Sequence, residues 1–560
     1  MPQTGPVRIL EMPHLNMFYA QYRILTWTVL VSLVLRLAAV PWGMGLGPVE
    51  GFYHPDESKV WSSTFAFPRH FFSNPNLIYG TTLQYSIAMV LIPIRVLWNT
   101  ISPLSTELSQ IQFVIISSRI VSCCLGAGCV GMAYRLGQQL GGKQTGIFAA
   151  SLLSVSFYHC LNSALTTLDV AMSFFAISFL VLIWQAAETG TRRDFILSGI
   201  FVGYLLGGKL SGVIFLIVPV VFTWELFRQK PDHAVSGSTP ARRAFVPLKT
   251  WCRGLALCGG IASLLLLISM PHIFLHLRDY LHFMGAQRHL WVERSDHSLS
   301  GVLQAWNFAL WTALGSLTYG LALMGLLLAS LRVPERVRPL HYSLLAVLAG
   351  HIFFWRGYIP ARFIIVLAPL LTVYAAYGVS SLLDAKSRWW RRLGTVLLIA
   401  AMIEGLSMCL AGLYDRYHDT RTACAAFLSH ALKPADRVAL LQRTENDTQM
   451  HSWRYPRVAE MKFQRVAILD SPDLILTSSY VTDMVQKAVN SGELSDSYVW
   501  PQERAAFWPQ YLVPRPEELR FAHQLFQGTA GYELIHTWRP TSFATPEFGS
   551  PELKLYRRVR

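Results

Sequence analysis

The sequence predicts an α-helical polytopic membrane protein of about 11 spans with a small C-terminal α/β domain. Three observations predict it. Hydrophobic residues make up 52% of the 560 and charged residues only 14%, whereas a soluble domain carries about a quarter charged residues. Apolar runs of roughly 18 or more residues recur, long enough to cross the hydrocarbon core, and mean hydropathy is +0.35. Beyond residue 412 the long apolar runs stop and charge rises.

Spans are expected at 24–41, 112–134, 144–163, 170–187, 195–208, 210–226, 253–275, 302–330, 339–355, 362–383 and 392–412. The first run has no small-residue cleavage site and is followed by many others, so it reads as an anchor. The segments 195–208 and 210–226 flank Gly207, Gly208 and Lys209 and read as a tight hairpin. The net charge of +15 would suggest nucleic acid in a soluble protein. Here Lys and Arg sit in short loops between spans, where they set orientation, so no nucleic-acid partner is expected.

Loop charge orients the chain. Arg135 with Lys143, Arg192 with Arg193, the 227–253 loop, Arg332 with Arg336 and Arg338, and the 386–392 cluster are all expected to be cytoplasmic. Alternation then places 42–111, 164–169, 276–301, 356–361 and 413–560 outside. This works only if the apolar stretch 81–98, which holds Gln84, Pro93 and Arg95, stays re-entrant or interfacial.

Two domains follow: a transmembrane catalytic domain at 1–412 and an extracytoplasmic α/β domain at 413–560. In the second, Val438–Leu441, Leu474–Leu476, Tyr532–Thr537 and Leu553–Tyr556 read as strands and Thr482–Asn490 as a helix. Seven of the eight cysteines lie in or beside apolar runs, where Cys behaves as a small hydrophobe. No disulfide framework or metal-type spacing is present.

The first outer loop carries His54-Pro55-Asp56-Glu57. Acid–base chemistry needs a carboxylate that is positioned and partly desolvated, and Pro55 stiffens the approach. The plainer reading is that adjacent acids mark a helix start. Six further charges fall at the expected outer boundary: Arg36, Arg119, Asp169, Lys209, Arg356 and Arg362. Snorkelling accounts for any one cation, but less well for five cations and an Asp gathered at one face. Such a face suits a phosphate at headgroup level. The four histidines of 276–301 suit a phosphate, a metal or simply an exposed loop, and their spacing is not that of a zinc site.

The HPDE string resembles the Asp-Glu signature of membrane glycosyltransferases of the GT-C class, in particular the protein O-mannosyltransferase and lipid A aminoarabinose transferase group. Further segments are similar and occur in the same order. SRIVSCCLGAGCVGMAYRLGQQLGGKQTGIFAASLLSVS resembles its Arg-led span, basic turn and Ala-rich span. ALTTLDVAMSFFAISFL resembles the segment with a second Asp, here Asp169. GIFVGYLLGGKLSGVIFLIVP resembles the Gly-rich hairpin with Lys209. ARFIIVLAPLLTVYAAYGV resembles the late span with Arg362 and Pro369. The chain departs from the pattern at LIYGTTLQYS, at NSALTTLD and at Gly208, which bears on acceptor type and phosphate contacts more than on class.

The resemblance implies an inverting transferase that takes a sugar from a polyprenyl-phosphate donor to a hydroxyl or phosphate acceptor on a protein, lipid or glycan. It implies Asp56 as general base, Glu57 supporting it, and Asp169 positioning acceptor or donor sugar. Lys209, Arg356, Arg362 and Arg119 would hold the donor phosphate. No cofactor is assigned; a divalent cation is the one candidate. The expected partners are the lipid-linked donor, a protein or lipid acceptor and membrane lipids, in a bacterial inner or plasma membrane. The alternative is a transporter or flippase of a lipid-linked saccharide, which would show internal repeats and interrupted midplane helices. A scaffold presenting 413–560 leaves the boundary charges unexplained.

Overall fold

A computed structural model describes residues 13–42, 57, 81–101, 107–228, 245–282, 298–332, 337–354, 361–433, 435–440, 464–465, 470–479, 516–540 and 552–559. The protein is an integral membrane protein, mostly helical. Its first helices are α1 (Pro13–Leu37), α2 (Thr82–Ile101), α3 (Glu107–Gly141), α4 (Lys143–Ser154), α5 (Phe157–Ser163), α6 (Leu168–Thr189) and α7 (Arg192–Leu206). A 3-10 turn, Leu210–Leu216, leads into α8 (Ile217–Arg228). Then come α9 (Leu248–Ser269), α10 (Pro271–Leu275), α11 (Leu299–Leu314), α12 (Ser316–Arg332), α13 (Arg338–Phe354) and α14 (Ala361–Ile364). The last long helices are α15 (Ala368–Leu383) and α16 (Arg388–Tyr417).

Among the described residues six helices are long and apolar enough to cross a membrane, or seven if one bent pair counts as a span. The expected spans at 24–41, 144–163, 195–208 and 339–355 are helices that do not pass on length and composition. In the second of these, α4 and α5 separate at Val155, where Ser156 turns extended. The stretch 81–98 forms α2, a shorter apolar helix. Its start is tied to the end of α9, and Ile87 and Leu91 pack on Val114 in the first turns of α3.

Helix α6 is the centre of the bundle. Of its most apolar window 89% is buried, against 22% for α9 and 28% for the segment containing α16, so α6 is enclosed by protein while the other two face lipid. Close approach needs small residues, because lipid offers no hydrophobic force to press helices together. Gly325 in α12 lies so near α15 that an added Cβ would overlap the Tyr374 carbonyl oxygen. Gly137 of α3 similarly abuts Gly146 of α4, where a Cβ would stand 2.9 Å from the facing Cα.

The expected single span at 302–330 is instead two helices, bent by 114°. Gly315 makes the break with φ 82°, a conformation that favours glycine. The side chain of Glu404, from α16, caps the new start. Its Oε1 accepts from Ser316 N at 2.8 Å and its Oε2 from Leu317 N at 2.9 Å. A carboxylate there satisfies two donors that begin a helix without intrahelical partners.

After α16, helix α17 (Thr420–Ala431) leads into a five-stranded sheet. Its strands are β1 (Arg437–Leu440), β2 (Gln464–Arg465), β3 (Leu474–Ser478), β4 (Tyr532–Trp538) and β5 (Leu553–Arg558), in the order β2-β1-β3-β5-β4. β1 is parallel to β2 and β3; β5 is antiparallel to β3 and β4. The four runs expected as strands are strands, while the expected helix at 482–490 lies outside the described residues. Every residue of the central strand β3 is buried, as a strand covered on both faces must be. Cys424 and Leu428 of α17 and Ala522 and Leu525 of α18 (Pro516–Phe526) share its core. Phe427 stacks on His536 of β4 at 4.9 Å.

Candidate active site

Charged side chains gather at one end of the bundle, where α1 finishes and α3 and α6 begin. Residues 38–42 turn out of α1, and Arg119 on α3 holds that turn. Its Nη1 donates to the carbonyls of Val40 and Trp42, both at 2.7 Å. Its Nε and Nη2 donate to Glu57 Oε1 and Oε2 at 2.9 and 2.8 Å. Glu57 Oε1 also accepts from the backbone N of Thr166 at 2.9 Å, just before α6. Both side chains are fully buried. A bidentate pair of this kind is strong and geometrically specific, and here it joins the first loop to three elements. Asp56 lies outside the described residues.

A second ion pair lies at the same end. Lys209, which opens the 3-10 turn, pairs with Asp169 in the first turn of α6. Both are largely buried. The acid sits where the α6 dipole favours negative charge. Ser173 Oγ, one turn along, donates to the carbonyls of Asp169 and Ile365 at 3.0 and 2.9 Å. That bond draws the segment after Arg362 onto α6. Arg362 itself is half-buried on α14. Arg356 lies outside the described residues.

The boundary charges thus separate by role. Glu57–Arg119 and Asp169–Lys209 are brought together as two pairs. Arg36 lies deeper and is fully buried, and among the described residues no carboxylate bonds it. Its Nε donates to Ser163 Oγ at 3.2 Å, its Nη1 bonds Ser32 and the Ser154 carbonyl, and its Nη2 meets the Leu153 carbonyl and His159 Nδ1. Arg36 therefore ties α1 to α4 and α5, rather than facing headgroups as its boundary position suggested.

Sequence reasoning missed a further group. Trp42 Nε1 donates to Asp419 Oδ2 at 3.1 Å, and Asp419 also pairs with Arg421. The guanidinium of Arg416 covers the Trp42 ring at 4.6 Å. Arg416 is 7% exposed, and among the described residues its Nε and Nη1 have no hydrogen-bond partner. The signal available was the polar string LYDRYHDTR ending the last apolar helix, but nothing in its spacing points to Trp42, 377 residues away. Among the described residues no group of three His, Cys, Asp or Glu is placed to hold a metal ion.

The arrangement orients the first loop through Glu57 and holds the Lys209 ammonium against a carboxylate. Known proteins share the architecture. The structure superposes on the oligosaccharyltransferase of Archaeoglobus fulgidus in its apo form with a TM-score of 0.52, over 97% of this chain and 89% of that one, at 12% identity. The fold is that of the GT-C class of membrane glycosyltransferases. A family model described as dolichyl-phosphate-mannose-protein mannosyltransferase matches residues 93–239 of this chain, a stretch that carries Arg119, Asp169 and Lys209. ArnT from Cupriavidus metallidurans bound to undecaprenyl phosphate aligns with a TM-score of 0.49 and 14% identity, over 83% of this chain and 94% of that one. No curated protein matches the sequence.

Proposed function

We propose that the protein transfers a sugar from a polyprenyl-phosphate donor to a hydroxyl or phosphate acceptor at the extracytoplasmic face, with inversion, and that Asp56 is the general base. The observation that carries this reading is the Glu57–Arg119–Thr166 anchor, which fixes the residue next to Asp56 at the end where Asp169 and Lys209 pair. The GT-C fold and the match to a dolichyl-phosphate-mannose transferase model support a lipid-phosphate donor. The basic loops assign this end to the outside by the positive-inside rule. The C-terminal sheet, read as an extracytoplasmic α/β domain from 413 to 560, then lies on the same side, and the count of about 11 spans gives the required alternation.

The chemistry is one displacement. The Asp56 carboxylate takes the proton of the acceptor hydroxyl, or accepts a hydrogen bond from a phosphate acceptor. The acceptor oxygen bonds to the anomeric carbon, the bond from that carbon to the phosphate oxygen breaks, and the electron pair leaves with the polyprenyl phosphate. Lys209, Arg356 and Arg362 stabilise the charge that develops on it. Asp169 sets the Lys209 ammonium and lies near the sugar. Arg119 leaves the phosphate-binding set in this reading. Four of its N–H groups already serve Glu57 and two carbonyls, so its work is to hold Glu57, and Glu57 positions the loop.

The test is transfer from labelled undecaprenyl-phosphate sugars by purified protein. Asp56→Asn is expected to lose transfer at least 100-fold, a typical scale for a general base, with donor affinity retained. Full transfer by Asp56→Asn rejects the base assignment. Movement of the intact donor across proteoliposomes without its consumption would favour the flippase reading instead.

A further inference from the structure

Two buried side chains near the Lys209 hairpin carry hydrogen-bonding atoms that the fold does not use. They are Gln84 on α2 and His272 on α10, 0% and 1% exposed. Among the described residues, both amide atoms of Gln84 and both ring nitrogens of His272 lack a partner. Buried polar groups are nearly always satisfied, so four unused atoms on two neighbouring segments call for a bonding partner that the described residues do not supply.

The placement is specific. Thr81 Oγ1 donates to the Ser269 carbonyl at 2.8 Å, and Thr82 Oγ1 bonds Ser269 Oγ at 2.8 Å. Gln84 stands three residues beyond Thr81, and His272 three beyond Ser269. The hairpin joins them. A Cβ on Gly207 would overlap Thr82 Oγ1, so its backbone lies against α2, and Ser86 Oγ bonds Tyr204 OH at 2.7 Å. Lys209 and its partner Asp169 follow directly. Three chain segments thus converge beside the proposed phosphate cation.

The chemical character of the pair differs from that of Lys209. An ordinary imidazole is mostly uncharged at pH 7, and a buried one with no counter-charge is more so. An amide offers two donors and an acceptor oxygen; a neutral imidazole offers one of each. A phosphate only accepts and would leave the acceptors idle. Ring hydroxyls both donate and accept, and match the set.

We propose that Gln84 and His272 are binding residues for the hydroxyls of the donor's sugar, lying beside the cationic Lys209 end that takes its phosphate. This rests on the glycosyl-transfer reading above. It makes sugar identity a property of the start of α2 and of α10, away from the acidic loop.

The experiment compares full-length wild type with Gln84→Met and His272→Phe, using undecaprenyl-phosphate mannose and glucose and the monodeoxy analogues of each. Each variant is expected to raise the donor KM about tenfold, the scale of one lost neutral hydrogen bond, with the acceptor KM unchanged. For one deoxy donor, the one lacking the hydroxyl that Gln84 holds, wild type and Gln84→Met should become equal. Wild type itself should discriminate at least tenfold against that analogue, a readout that does not depend on the variants folding. An unchanged donor KM with lowered thermal stability would mean that buried water satisfies these atoms, and the proposal fails. Equal losses on every analogue would also sink it. If wild type uses none of the donors, the transfer reading fails and takes this with it. If wild type is active and both variants match it, only the sugar subsite fails.

Discussion

A carboxylate whose oxygens already accept from Arg119 and Thr166, as those of Glu57 do, is a poor base and a good anchor. Its removal should therefore act through structure. Glu57→Gln leaves a buried guanidinium without its counter-charge, a change that costs about 3–5 kcal/mol. Thermal unfolding in detergent should show that loss, and Arg119→Met should show a similar one. The double variant should lose clearly less than the sum, because each single change removes the same pair. Additive losses would mean that the two are not coupled. At this scale the sequence was informative about residue identity but not partnership. Asp169 and Lys209 stand out as charges in apolar surroundings, yet their pairing spans 40 positions and has no periodic signature. Trp42 and Arg416 were overlooked because an indole and an arginine at a span end are ordinary interfacial residues.

Among helices, glycine sets how closely backbones can approach. Gly325 faces the Tyr374 carbonyl, whereas a Cβ on Gly320 of the same helix would meet nothing within 4 Å. Gly325→Ala should then lower the unfolding temperature by several degrees, on the 1–3 kcal/mol scale of about one overpacked group, and Gly320→Ala should not lower it. Equal effects would contradict the contact between α12 and α15. Hydropathy located the apolar stretches well, including the hairpin at Lys209. It could not see the 114° break at Gly315, because both halves are apolar and the feature that makes the break tolerable, Glu404, belongs to a distant helix. For the same reason α2 was recognisable as marginal from Gln84, Pro93 and Arg95, while the bonds from its start to Ser269 were not.

For the whole molecule, the junction between bundle and sheet runs through a few polar contacts. Asp419 accepts from Trp42, pairs with Arg421 and caps α17 through Arg421 N, and α17 in turn carries Phe427 onto β4. Asp419→Ala should make the segment after α17 more readily cut by protease, releasing the sheet from an intact bundle, while Trp42→Phe should do so more weakly. Unchanged cleavage in Asp419→Ala would show that the apolar core under the sheet suffices. The individual strands were legible as short apolar runs; their order was not, since β5 follows β4 in the chain yet pairs between β3 and β4. The same dependence on late arrivals governs the broken helix. Translation reaches Glu404 only 88 residues after Ser316. While the ribosome covers that distance, the first turn of α12 sits in the bilayer without this cap. The bend at Gly315 therefore gains its cap only when α16 docks.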